Sequence, residues 1–165
     1  MNAGGCRVRP FEAGDAGAVS AMVEALNIED GQHRGAPPDA AGLRAAFLGA
    51  DATGFLLVAQ AEAAPVVGYA TGHATYETEF AARGFYMGDL YVAREHRRRG
   101  VGRALVAGMA AEARARGARF LWWTALPGNA GAHGFYRALG CRDEPLRAFV
   151  LADEAFNRLV DQTAP

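Results

Sequence analysis

Apolar positions in this chain recur with two periods, and the alternation between them lays out the elements. Cys6 to Arg9 reads as a short edge strand closed by Pro10. Asp15 can N-cap a helix through about Asn27, with Val19, Met22, Val23 and Leu26 on one face. A polar loop, IEDGQHRGAPP, follows, and then Asp39 can cap a second helix whose apolar side is Leu43, Ala46 and Phe47, with Gly49 at its end. Gly54 to Ala61 and Val66 to Tyr76 read as strands joined by the turn EAAP, most simply as a hairpin. After a polar loop from Glu77 to Gly84, Phe85 to Val92 is a further strand. It leads through a basic turn, Arg97 to Gly102, into a long Ala/Leu/Val helix that Gly117 terminates.

Arg119 to Ala125 is a strand of large residues broken by LPGN. A helix from about Ala130 to Leu139 stops at Gly140. The alternating LRAFVL predicts a last strand from about Arg147 to Ala152, with a short helical or frayed tail. The strand–helix–strand unit from Phe85 to Ala125 demands a parallel pair with a right-handed crossover. The expected class is α+β: a mixed, mostly antiparallel, twisted sheet of about six or seven strands flanked by about four helices. No repeat, low-complexity tract or linker interrupts it, so residues 1–165 are expected to be a single domain.

Composition narrows the function classes. With 165 residues, 51% hydrophobic and 21% charged, the chain can build a core. A formal net charge of −1 gives no general attraction to nucleic acid or anionic membrane. All its basic residues other than histidine are arginines. Cys6 and Cys141 form no CxxC pair, and His33, His73, His96 and His133 lack metal-ligand spacing, so no metal is expected. The start, MNAGGCRVRP, has no apolar signal core, and no apolar run would span a bilayer; the expected compartment is the cytoplasm.

The basic turn is where chemistry first shows. The unpaired N–H groups of a first helical turn point outward, and the helix dipole favours an anion there. Gly100 and Gly102 put no Cβ between those groups and a ligand, and Arg97, Arg98, Arg99 and Arg103 add positive charge. A solvated turn would carry arginines too; the glycines favour a phosphate.

Arg97-Arg98-Arg99-Gly100-Val101-Gly102, directly after LYV, resembles the R/Q-x-x-G-x-G/A signature of the GNAT N-acetyltransferase superfamily. Asn129, Ala132 and Phe135-Tyr136, closing with RALGC, resemble its N-x-x-A-x-x-F-Y-x-x-x-G-F region. The two motifs cover about the last half of the chain. YMGDLYV and the terminal LRAFVLADEAFNRL are similar in layout to the diamine and spermidine N-acetyltransferases. Gly88, however, stands where some of those members carry a carboxylate.

The resemblance implies transfer of acetyl from acetyl-CoA directly to an amine, with no metal and no covalent enzyme intermediate. It implies a strand ending in Leu90-Tyr91-Val92 that splays from the strand holding Trp122 and Trp123, with pantetheine in the gap and the diphosphate on amides from about Arg98 to Arg103. Leu90 N–H would stabilise the oxyanion, Tyr136 would protonate the departing thiolate, and Asn129 would contact the cofactor near its thiol end. The base stays open among Asp89, Glu77, Glu79, Glu29, Asp30 and a relayed water. Alternation turns Asp89 away from the face of Leu90 unless a bulge intervenes. Glu29, Asp30, Glu77 and Asp89 are the candidates for binding the amine. The implied partners are a small-molecule amine and a second copy of the chain, and no nucleic acid or membrane. Two other functions fit the same motifs: an acyl-CoA-binding module without turnover, and a peptide or protein N-acetyltransferase. As plainer readings, Tyr136 would be a core residue, Asp89 a strand-end hydrogen-bonding residue, one of Trp122 and Trp123 core, and Cys141 buried packing.

Overall fold

The structure is a computed structural model that describes residues 2–3, 5–31, 36–61 and 65–162. The chain divides into two compact units, residues 1–129 and 130–165.

The first unit holds a sheet of six strands in sequential order: β1 (Asn2–Ala3), β2 (Cys6–Pro10), β3 (Gly54–Ala61), β4 (Val66–Glu77), β5 (Ala82–Val92) and β6 (Phe120–Trp122). Every neighbouring pair is antiparallel except β5 with β6, which is parallel, as a helical crossover requires. Helices α1 (Ala16–Glu29) and α2 (Ala40–Leu48) cover one face, and α3 (Val101–Ala115) covers the other. On the α1/α2 face, Phe11, Val19, Met22, Leu43, Leu56, Val58, Tyr69 and Tyr91 form a continuous buried cluster. On the α3 face the helix approaches so closely that a Cβ on Gly72 would lie 2.9 Å from the sulfur of Met109. Glycine in this strand sets how near the helix can come.

Asp39 caps α2 by accepting from Gly42 N–H at 2.7 Å. Asp15 stands at the N-cap position of α1, but its side chain makes no capping bond to that helix. Instead the Asp15 carboxylate accepts from the Glu12 amide at 2.8 Å and from both terminal nitrogens of Arg9 at 2.7 and 2.8 Å, with Asp15 buried and Arg9 half-buried. This pair ties the end of β2 to the start of α1.

The second unit contains α4 (Ala130–Ala138) and α5 (Asp153–Asp161). The sequence reading needs correction here. Residues 147–152 form no strand, and Leu146, Phe149, Val150 and Leu151 are exposed. Alternating apolar residues become a strand only where another strand supplies hydrogen bonds, and among the described residues none pairs with this segment. Among the described residues there are five α-helices against the expected four or so. β6 is shorter than the expected 119–125, and β4 and β5 take in half of the expected loop at 77–84. β2 is not an edge strand, because β1 pairs with it. Residues 32–35 of the polar loop, with His33, and residues 62–64 of the turn lie outside the described residues, as do 163–165 of the tail.

Candidate functional site

β5 runs through a single 3-10 turn, Arg94–His96, into the basic turn and α3. Arg98 and Gly100 both take left-handed backbone, at φ 62° and 84°. Glycine adopts that conformation without a Cβ penalty. The first intrahelical bond into α3 comes from Ala104 N–H to Gly100 C=O at 3.0 Å, so the amides of Val101, Gly102 and Arg103 precede the helical ladder. Arg98, Arg99 and Arg103 are exposed around this end. The arrangement fits a diphosphate.

Arg97 does something the sequence did not suggest. Its Nε donates to Val92 C=O at 2.7 Å and its Nη2 to both Glu29 oxygens at 2.8 and 3.0 Å, while the guanidinium carbon lies 5.4 Å from the centre of the Tyr91 ring. Arg94 also donates to Glu29, at 3.0 Å. Burial disfavours charge on Glu29, but the hydrogen bonds from Arg97 and Arg94 outweigh it and hold the carboxyl below its ordinary range. Two expectations change: Arg97 braces the turn with its side chain, and Glu29 is engaged by arginines rather than presented to an amine.

The edge of β5 beyond this turn is open. β6 pairs with Gly84, Phe85 and Tyr86 only. Ala93 N–H bonds Val67 C=O at 2.9 Å, which makes Ala93/Val67, and by alternation Tyr91/Tyr69, the hydrogen-bonded pairs with β4. The amides and carbonyls of Leu90 and Val92 therefore point away from β4, to the edge that β6 has left, where the Val92 carbonyl already accepts from Arg97. Trp122, 36% exposed, packs its ring edge-on to Tyr86 at 4.5 Å, so it is not core; Trp123 is half-buried.

One irregularity sets where Asp89 goes. Between Ala70↔Leu90 and Gly72↔Met87, β4 advances two residues and β5 three. The extra residue is a β-bulge at Gly88–Asp89, opposite Thr71. It changes the parity of β5. Phe85 and Met87 lie with Gly72 and Ala74 on the α3 side, whereas Asp89 and Tyr91 lie with Thr71 and Tyr69 on the α1/α2 side.

Asp89 thereby lines a cavity of about 230 Å³ between the sheet and the two helices. The walls are Val19 and Val23 from α1, Leu43, Ala46 and Phe47 from α2, and Leu56 from β3; Tyr69 and Thr71 join Asp89 from the sheet. Burial raises the Asp89 carboxyl above the ordinary carboxylate range, the Thr71 hydroxyl hydrogen-bonds it and partly offsets this, and the charge of Asp30 raises it again. Thr71 Oγ1 also accepts from Asp89 N–H at 2.9 Å. Tyr69 is 0% exposed, and its hydroxyl has no hydrogen-bond partner among the described residues.

The other candidates separate. Asp30 ends α1, its N–H bonded to Leu26 C=O. Glu77 pairs with Ala82 at the far end of the β4–β5 hairpin, about 20 Å along β4 from Thr71 at the usual strand rise, and Glu79 is in the hairpin turn. Neither lines the cavity. Asn129 is the exposed last residue of the first unit, its N–H bonded to Leu126 C=O at 2.9 Å. In the second unit, Tyr136 is half-buried on α4 with its ring 5.2 Å from that of Phe135. Cys141 is half-buried rather than buried.

The profile of the acetyltransferase (GNAT) family matches residues 20–141, a span that crosses the boundary between the two units. The chain belongs to the GNAT acetyltransferase family. Among solved structures, it is similar to an integron cassette protein from the mobile metagenome of V. cholerae, at 20% identity and TM-score 0.74, covering 94% of this chain and 98% of that one. It is similar to an aminoglycoside acetyltransferase from an uncultured soil metagenomic sample, solved in complex with sisomicin, at 15% identity and TM-score 0.73, with coverage of 90% and 97%. A second aminoglycoside acetyltransferase from such a sample is 25% identical at TM-score 0.69, with coverage of 93% and 100%. No curated protein matches the chain in sequence. Within this GNAT fold, Tyr69 and Thr71 are the site residues that sequence reasoning missed. Their one signal is i, i+2 spacing on the strand that pairs with β5.

Proposed function

We propose that this GNAT protein is an acetyl-CoA-dependent N-acetyltransferase that acts on the primary amine of a small molecule by direct attack. The observation that carries the reading is the bulge: the Asp89 carboxyl enters the cavity while the N–H of the next residue, Leu90, faces the open strand edge. A group that removes a proton and a donor for developing negative charge thus stand on consecutive residues, one toward each side of the strand.

The α3 N-terminal turn, with Arg98, Arg99, Gly100, Val101, Gly102 and Arg103, would hold the diphosphate, and the outward backbone of Leu90 and Val92 the pantetheine arm, Tyr91 being turned to β4 and the core. When bound, acetyl-CoA supplies the acetyl group as an activated thioester. The chain's own residues do the rest. Asp89 takes a proton from the ammonium, because a charged amine has no lone pair. Its raised pKa helps, since a carboxylate of higher pKa is a better proton acceptor than an ordinary one. Leu90 N–H stabilises negative charge on the carbonyl oxygen. Tyr136 is the proposed acid for the thiolate, and Asn129 a contact near it, both on the strength of their place in the second motif.

Support for a small-molecule acceptor comes from the structural relatives that are aminoglycoside acetyltransferases. The finer diamine/spermidine resemblance loses weight, because the terminal segment that contributed to it forms no strand. Exposure of Leu146, Phe149, Val150 and Leu151 supports a homodimer, which sedimentation would test. The activity test is thiol release from acetyl-CoA over a panel of amines, with cofactor binding measured alongside. Silence with every amine, together with no cofactor binding, overturns the proposal.

A further inference from the structure

We infer that the acceptor is a small apolar monoamine, aromatic or branched aliphatic, rather than a polyamine or a sugar amine. This rests on the acetyltransferase reading above for its chemistry, but the argument comes from the cavity walls. Among the described residues that line the cavity, Asp89 is the only carboxylic acid, and α1, α2 and β3 contribute aliphatic and phenyl surface. One carboxylate answers one ammonium. A second cationic nitrogen, as in a diamine, would lie against Val23, Leu43 or Phe47, where no lining side chain pairs with it. The hydroxyls of an aminosugar would meet the same surface, where buried polar groups without partners are unfavourable.

Position 88 bears on the same point. A Cβ on Gly88 would lie 3.0 Å from Thr71 Oγ1, so a carboxylate side chain there would add a second acid near Asp89. Glycine adds none. Size agrees: about 230 Å³ holds roughly seven to eight non-hydrogen atoms at about 30 Å³ for each water-sized unit. That matches one ring or a short branched chain carrying an amine. The buried Tyr69 hydroxyl adds an unmet polar group in the same wall, beside the place where such an amine would meet Asp89. Apolar surroundings disfavour the ammonium and the carboxylate alike, which makes proton transfer from one to the other easier.

The test compares phenethylamine, isoamylamine, putrescine, spermidine and sisomicin by calorimetric binding and, with acetyl-CoA, by kcat/KM for thiol release. The expected result is that phenethylamine and isoamylamine exceed the other three at least tenfold in both measures. Ala46→Asp, at an exposed helix position lining the cavity, should narrow that margin tenfold or more by adding a second acid, with the melting temperature confirming that the variant is folded. Apolar amines that bind without thiol release support the inference and overturn the catalytic reading. Turnover with putrescine, spermidine or sisomicin that equals or exceeds the apolar amines overturns the inference and leaves the catalytic reading standing. Absence of binding by either apolar amine also overturns it.

Discussion

Tyr69→Phe should make the protein more stable and, under the proposed chemistry, a poorer acceptor-binding enzyme. The Tyr69 side chain is wholly buried and its hydroxyl has no partner among the described residues. Burial, then the nearby charge of Asp89, pushes its pKa well above the ordinary tyrosine range, as expected for a phenol kept neutral in poorly hydrated surroundings. A buried hydroxyl without a hydrogen bond costs about 1–3 kcal/mol, and phenylalanine keeps the ring while removing that cost. Taking about 2 kcal/mol, and about 2–4 °C per kcal/mol for a chain of this size, the melting temperature should rise by about 4–8 °C. The ring contact with Tyr91, at 6.3 Å between centroids, remains. The assay is thermal unfolding of the free protein, followed by the acceptor KM, which should increase. A melting temperature that is unchanged or lower would refute the reasoning, because it would mean that the hydroxyl is already satisfied.

Asp89→Asn should lower kcat/KM by about 10²–10³ with little change in cofactor affinity. Because burial holds the Asp89 carboxyl above the ordinary range, kcat/KM in the parent should climb with pH through that raised value as the basic form appears; a pH profile checks this, and the step should vanish in the variant. Gly100→Ala forces alanine into a φ of 84°, at a cost of about 1–2 kcal/mol; coenzyme A should bind more weakly by calorimetry, and unchanged binding would count against the diphosphate turn. Asp15→Ala strands the half-buried Arg9 charge and should cost about 1–3 kcal/mol in denaturant unfolding. The Arg9 hydrogen bonds, against opposition from burial and with help from the Glu12 amide, hold the Asp15 pKa below its unfolded value. Its contribution is therefore complete above the ordinary carboxylate pKa and disappears as pH falls through the lowered one, so parent and variant should converge in stability in strong acid.

What the sequence made legible follows local rules. The bounds of β3 were readable because turn residues bracket a single apolar run, and α2 because Asp39 caps it from within four residues. The phosphate turn was readable for the same reason, since glycines and a helix start sit within six residues. What was not legible depends on distant partners. Glu29 lies 68 positions before Arg97, and nothing local to either predicts that they meet. LRAFVL has the alternation of a strand, but alternation does not supply a neighbour to pair with. Thr71 and Tyr69 gain meaning only when β4 is set against β5 in register. The bulge leaves no composition mark, and without it Asp89 would follow Met87 onto the α3 side.

That irregularity gives the protein a counting rule. Removing one residue between Met87 and Leu90 would restore even pairing, so the strand's two halves could no longer each serve their own layer: either the acid would turn inward against Met109 and Leu105, or Phe85 and Met87 would swing out of the packing beneath α3. Length at this spot matters to the layering of the strand as much as the acid matters to the chemistry.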